Sequence, residues 1–253
     1  MREKRVLVPN PQRSDLHGVF YFALEENPSI RPPILIMCHG FTGDKYEWGR
    51  FPETAKVLNK EGYDVLIFDF SGSGENKREP ITLTKNASDL ENVYSWVKNQ
   101  GYSKIAVLGL SFGGQTVLKA NLPGIITYVF WAPFTLLHTT GDQSDWFKDI
   151  DKGPVEILTS GEGGPIIIDM SFVMDIAKFQ VRPALKSLNP PTLIVQGTMD
   201  DKVPLELTKK AFRLMPQDEN HKLVEVKGAT HDFNEKHLQE FIKETVSWLK
   251  NYF

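Results

Sequence analysis

The chain predicts an α/β protein with a mostly parallel, eight-stranded sheet flanked by helices, and three observations carry that reading. Short apolar runs rich in β-branched residues alternate with longer segments of helical period, the pattern of βαβ units. With 253 residues, 41% hydrophobic and 24% charged, the chain has the size and composition of one soluble domain able to bury a sizeable core. The alternation breaks once, between Phe134 and about Leu188, which marks an inserted lid within a single domain spanning 1–253.

Taken in order, Arg5 to Val8 and Gly18 to Leu24 are predicted to form an antiparallel edge, and Ile34 to Cys38 enters the sheet centre. A helix from about Phe51 to Lys60, ended by Gly62, leads to the strand Val65 to Asp69. The next helix is Leu83 to Asn99. Buried strands follow at Ile105 to Leu108 and Ile126 to Trp131, separated by a helix starting just after Ser111. Within 134–188 the pattern reads as helix, hairpin and helix, the hairpin being Val155 to Leu158 and Pro165 to Asp169 around the turn-rich Ser160 to Gly164. Leu193 to Gln196 and Leu223 to Val226 complete the sheet, and an amphipathic helix covers about Glu235 to Asn251.

Several classes of function are disfavoured. A formal net charge of -3, with both signs mixed along the chain, offers no basic stripe, so nucleic acid is not an expected partner. The single cysteine, Cys38, allows neither an intrachain disulfide nor a thiolate cluster and reads as a core residue. No H-E-x-x-H or comparable ligand set occurs, so no metal is expected. Ser71 to Gly74 lacks the spacing of a phosphate-binding loop. No apolar run approaches the ~18 residues of a membrane span. The N-terminal MREKRVLVPN has no signal-peptide stretch behind it, so the expected location is cytoplasmic.

The chemistry gathers in three loops. Gly109-Leu110-Ser111-Phe112-Gly113 is a G-x-S-x-G between a strand and a helix, where a sharp turn projects a serine hydroxyl and the helix N-terminus favours negative charge. A serine hydroxyl needs a base to attack, and the base needs a third group to hold its tautomer. Carboxylates Asp200 and Asp201 follow the strand Leu193 to Gln196. His231 follows the last strand, giving the order Ser, Asp, His. Position excludes His17, His221 and His237 as the base: the first precedes the sheet core, the second sits in a polar stretch before a strand, and the third lies in the final helix.

These motifs together resemble the α/β-hydrolase superfamily, over the stretch from the His39 loop to His231. The resemblance implies an α/β-hydrolase fold and selects Asp200, which falls with Gly197, Val203 and Pro204 on the pattern G-x-x-D-x-x-V-P, over Asp201. It also implies that His39-Gly40-Phe41-Thr42-Gly43 supplies an oxyanion-hole donor through the Phe41 N–H. The other donor is the Phe112 N–H, and His39 itself is a structural residue of its loop. The expected reaction is cofactor-free hydrolysis of a small-molecule ester through an acyl-enzyme on Ser111. The chain looks most similar to small carboxylesterases of the cinnamoyl or feruloyl esterase group. Monoacylglycerol lipases, serine aminopeptidases and thioesterases are the alternatives, with a noncatalytic small-ligand receptor behind them. Trp131, Phe134, His138, Trp146 and Phe172 are the candidate substrate contacts, and a homodimer is the assembly the sequence allows.

Overall fold

The computed structural model describes residues 2–23, 31–133, 147, 149–158 and 164–253. Two edge strands open it, β1 (Arg2–Val8) and β2 (Leu16–Phe22), paired antiparallel with Val6 opposite Gly18. The buried run Ile34–Cys38 is β3, followed by α1 (Arg50–Lys60), β4 (Asp64–Phe68), α2 (Leu83–Asn99), β5 (Ile105–Leu110), α3 (Phe112–Ala120) and β6 (Thr127–Trp131). A small pair, β7 (Val155–Ile157) and β8 (Ile166–Ile168), then α4 (Met170–Lys178) and α5 (Val181–Lys186), interrupt the alternation. It resumes with β9 (Thr192–Gly197), α6 (Leu205–Phe212), β10 (His221–Val226) and α7 (Glu235–Leu249).

Local chemistry sets the element ends. Gly62, at φ 88, takes the left-handed position that stops α1. The Thr82 hydroxyl accepts from Lys85 N–H to start α2, and Asp169 does the same for Ser171 N–H ahead of α4. Helix α6 is absent from the sequence reading, and the single helix expected after the hairpin is two, α4 and α5. Helix α6 spans only eight residues, with Thr208 and Ala211 fully buried and Phe212 packed half-buried on the core, little more than two turns in which to show a period. His221 is the first residue of β10, not part of the stretch before it.

The eight described strands of the main sheet run in the order β1-β2-β4-β3-β5-β6-β9-β10, parallel from β4 to β10. The chain passes from β3 outward to β4, then crosses back to β5 on the other side of β3. That reversal opens a crevice at the carboxyl ends of β3 and β5. Alternate side chains of the central strands feed two apolar layers. Ile36, Val107 and Phe130 belong to one, packed beneath α2 and α3, while Leu35, Met37, Leu108 and Val129 belong to the other, against α1 and α7. Among the described residues no helix is long and apolar enough to cross a membrane.

The predicted hairpin is present as β7 and β8, with Val155 opposite Ile168. The helix expected before it falls on residues outside the described ones. Ile157, Ile166, Ile168, Phe172 and Ile176 pack with Ile81, Leu83 and Phe112 in a third apolar cluster, which docks the insertion on the start of α2 and α3. Ile81 N–H donates to Ile167 O, and Thr84 N–H and hydroxyl both donate to the Asp175 carboxylate.

Candidate active site

Ser111 alone makes the turn from β5 into α3, at φ 50 and ψ -118. Such backbone geometry costs a non-glycine residue about 1–3 kcal/mol and survives only when its surroundings over-determine it. Here they do: Ser111 N–H donates to Trp131 O at 2.9 Å, and Ser111 O accepts from Gly114 N–H at 2.9 Å. The flanking glycines are a packing requirement. A Cβ on Gly109 would lie 2.7 Å from Gly113 O and from Gly114 Cα, and one on Gly113 would run into the Cys38 carbonyl. Phe112 is the first residue of α3, where a helix leaves N–H groups without intrahelical partners.

The parallel register of β9 and β10 sets Gly197 beside Val226, so the loops that follow are neighbours. Met199 N–H donates to Ala229 O and Gly228 N–H to the Thr198 hydroxyl, each at 2.9 Å, which locks them together. From these loops Asp200 and His231 complete a hydrogen-bonded chain. His231 Nδ1 lies 2.9 Å from Asp200 Oδ2, and His231 Nε2 lies 3.2 Å from Ser111 Oγ. A carboxylate at Nδ1 requires the proton there and leaves the Nε2 lone pair facing the serine hydroxyl.

Asp200 is itself fixed. Its Oδ1 accepts from the N–H groups of Lys202 (3.0 Å) and Val203 (2.7 Å), and its Oδ2 accepts from Gln196 Nε2 (2.9 Å). Gln196 is fully buried, also donates to Val203 O, and accepts the Thr208 hydroxyl on Oε1. Asp201 turns outward, its side chain 72% exposed and 3.8 Å from Lys202 Nζ. Sequence reasoning does not single out Gln196; its signal is a polar residue near the end of an apolar, fully buried strand.

The His39 loop closes the other side. His39 Nε2 accepts the Phe70 N–H at 3.1 Å, so its Nδ1 carries the proton and donates to Gly40 O at 2.8 Å. With both ring nitrogens engaged and the side chain buried, His39 holds the loop in shape, as expected. The neighbouring Cys38 is fully buried, which pushes its thiol far above the usual range and keeps it unreactive. Beyond the loop, the Phe41 and Phe112 rings meet edge to face at 5.8 Å, and Phe172 joins them at 5.1 and 5.6 Å with Phe147 stacked behind. A cavity of about 170 Å³ sits beside Ser111, walled by Phe41, Trp48, Leu110, Lys202, Val203 and His231. Among the described residues no group of three or more His, Cys, Asp or Glu could hold a metal ion.

One of the expected substrate contacts needs correction. Trp131 neighbours Leu110 in the sheet, but strand alternation sends its side chain into the layer under α7. There it is fully buried, edge-on to Phe233 and Phe241, with its indole N–H donating to Thr245 Oγ1 at 2.9 Å. Phe172 packs against both Phe41 and Phe112, at 5.1 and 5.6 Å between ring centroids. Phe134, His138 and Trp146 lie outside the described residues.

Comparison with known proteins bears on this geometry. The model of the alpha/beta hydrolase family matches residues 35–244. Human Protein ABHD12B is 27% identical over 189 residues, which are 72% of this chain and 49% of that protein. The lysophosphatidylserine lipase ABHD12 of Danio rerio is 23% identical over 74% of this chain and 48% of its own length. A carboxylesterase of Bacillus subtilis is 32% identical over 90 residues, 34% of each chain. The chain thus spans about half the length, or less, of these curated relatives. Among solved structures, DcsB in complex with its substrate analogue superposes with a TM-score of 0.82 at 19% identity, covering 100% of both chains. Est1E from Butyrivibrio proteoclasticus with ferulic acid bound superposes with a TM-score of 0.76 at 22% identity, covering 98% of both.

Proposed function

The chain belongs to the alpha/beta hydrolase family, and from that premise we propose that it hydrolyses carboxylic esters with Ser111 as nucleophile, His231 as general base and Asp200 as the group that orients the histidine. The observation that carries the proposal is the chain Asp200 Oδ2, His231 Nδ1, His231 Nε2, Ser111 Oγ, at 2.9 and 3.2 Å, with the serine held at a strained turn. Ser111 Oγ attacks the ester carbonyl carbon while its proton passes to His231 Nε2. The carbonyl oxygen, now negative, accepts hydrogen bonds from the Phe41 and Phe112 N–H groups. Collapse of the tetrahedral adduct expels the alcohol, which takes the proton from His231. Water then attacks the acyl carbon, its proton passing to His231 Nε2, and collapse of the second adduct breaks the bond to Ser111 Oγ, which takes that proton back as the acid leaves. These steps use only the residues named, the ester and one water. The insertion, docked against Phe112, serves as the cap over the acyl site.

The test is hydrolysis of p-nitrophenyl esters from acetate to palmitate, with methyl ferulate alongside. Preference for short chains or ferulate is expected, and Ser111→Ala should lower kcat by at least ~10⁴-fold. Failure of the wild-type protein to turn over any of these esters would overturn the proposal.

A second reading is cleavage of a single-chain acyl lipid. It is favoured by the lipase among the relatives and by apolar side chains presented to solvent on the insertion: Leu158, Met170 and Met174, at 82%, 39% and 51% exposure. A profile rising toward palmitate would select it.

A further inference from the structure

Glu47 is a buried carboxylate that the proposed mechanism does not use. It is 1% exposed, and its backbone sits at φ 47, followed by Trp48 at φ 52, two consecutive non-glycine residues in the left-handed region. Strain of this kind persists where the surroundings impose it, and it clusters at functional sites. The side chain explains what imposes it. Glu47 Oε1 accepts the Gly40 N–H at 2.5 Å, and Oε2 accepts Arg50 Nη2 at 2.6 Å. The space for the carboxylate exists because position 43 is glycine, where a Cβ would overlap Oε1.

Arg50 carries the connection onward. Its Nη1 donates to Asp232 O at 3.2 Å, its Nε donates to Glu47 O at 3.1 Å, and its guanidinium lies over Phe233 at 5.0 Å and Trp48 at 5.2 Å. Both ends of this bridge touch the site. Gly40 lies against the nucleophile, since a Cβ built there would sit 3.5 Å from Ser111 Cβ, and it directly precedes Phe41. Asp232 directly follows His231.

We propose that Glu47 and Arg50 are positioning residues that act as one unit, tying the loop of the Phe41 N–H donor to the loop of the His231 base so that the two keep a fixed separation across Ser111. The inference rests on the esterase reading for its substrate assay, although its geometry does not depend on the ester. A carboxylate suits the Gly40 end because an ionised acceptor makes the shorter, stronger hydrogen bond to a backbone N–H. An arginine suits the other end because its planar fork can engage the carboxylate and a carbonyl at once. A lysine could not hold both directions.

The test uses Glu47→Ala, Glu47→Gln, Arg50→Ala, Arg50→Lys and the double variant Glu47→Ala/Arg50→Ala. Two readouts are followed: ester turnover, and the rate at which an alkyl fluorophosphonate modifies Ser111, forming an Oγ–P bond and releasing fluoride. A misplacement near 1 Å costs about a hundredfold, so each alanine variant should lose about 10- to 100-fold in kcat and in labelling rate, with KM within about threefold of wild type. The double variant should lose no more than the worse single variant. Glu47→Gln, which keeps an acceptor for Gly40 N–H, should recover part of the loss, and Arg50→Lys should not.

Circular dichroism melts establish the folded fraction at the assay temperature. Losses that merely follow that fraction, additive losses in the double variant, or wild-type rates in Glu47→Ala would each overturn the bridge. If the wild type cleaves no ester but is still labelled at Ser111, the esterase reading falls and the labelling rates alone decide this proposal. Absence of labelling in the wild type overturns both.

Discussion

The loops bearing Asp200 and His231 and the insertion bearing Phe172 meet at the same end of the sheet, but they are held by different forces. Asp200 is fixed by two backbone N–H groups, a buried glutamine amide and the histidine itself, all within 3.0 Å. Phe172 is fixed by rings on three sides, with centroids 5.1 to 6.5 Å away. Hydrogen bonds are directional and place atoms to tenths of an ångström, whereas apolar packing is non-directional and can re-form around a changed shape. The comparison separates two kinds of region: one where hydrogen bonds over-determine the geometry, and one where apolar packing can adjust, and on the proposed ester reading the first would carry the chemistry and the second the fit to the acyl group.

The sharpest way to break that division is Asp200→Asn. The amide keeps the shape but cannot replace a carboxylate opposite His231 Nδ1, and loss of the correct tautomer costs about 10⁴-fold in kcat in the serine protease precedent. A drop of that order is expected on p-nitrophenyl acetate, with a loss of stability of about 1–3 kcal/mol because the amide NH2 must face a donor where the carboxylate accepted on both oxygens. Wild-type turnover would move the role to Asp201. Phe172→Ala attacks the other side. Truncating a buried phenylalanine costs about 3–5 kcal/mol, so urea unfolding should show a clear loss of stability. Turnover of acetate should stay within tenfold, while the ratio of long-chain to short-chain rates changes. A fall in acetate turnover as large as that of Asp200→Asn would end the distinction between the two regions.

The same division explains what the sequence revealed. The central strands are continuous apolar runs, and the loops that follow β5, β9 and β10 carry a serine, a carboxylate and a histidine at strand ends, so the three residues the structure joins by hydrogen bonds are legible as residue types in chain order. The glycines at 109 and 113 were legible because no other residue fits where backbone meets backbone. What escaped depends on contacts between residues far apart in the chain. Trp131 looks like a site aromatic because it ends a strand beside Ser111, yet the pleat turns it to the opposite layer, where Thr245, 114 residues away, satisfies its N–H. Gln196 and Arg50 carry no motif, and their meaning comes from Asp200 Oδ2 and Asp232 O, which no local pattern supplies. Helix α6 is hard to read from sequence because it spans only eight residues, too few for a helical period to stand out.

The smallest effect sharpens the comparison along a single strand, since β10 begins with His221 and leads into the loop of His231. Burial of His221 holds its imidazole below the ordinary value of 6.5, and the charge of Asp218, whose Oδ1 is 3.9 Å from Nε2, only partly opposes that. In the unfolded chain the same imidazole titrates at its ordinary value. As pH falls through 6.5 the unfolded state therefore takes up the proton first and is favoured. The stability that neutral His221 contributes is present above that pH and is lost as pH falls toward the lower folded value. His221→Gln, a neutral side chain that does not titrate, should flatten the decline of the urea midpoint on the acid side of 6.5. It should leave the pH dependence of ester turnover unchanged wherever the protein is folded, because His221 occupies the opposite end of β10 from the loop of His231. A turnover profile that shifted together with the stability profile would show that the two ends of the strand are coupled, and that the rigid half of the site is less independent of the sheet beneath it than its hydrogen bonds imply.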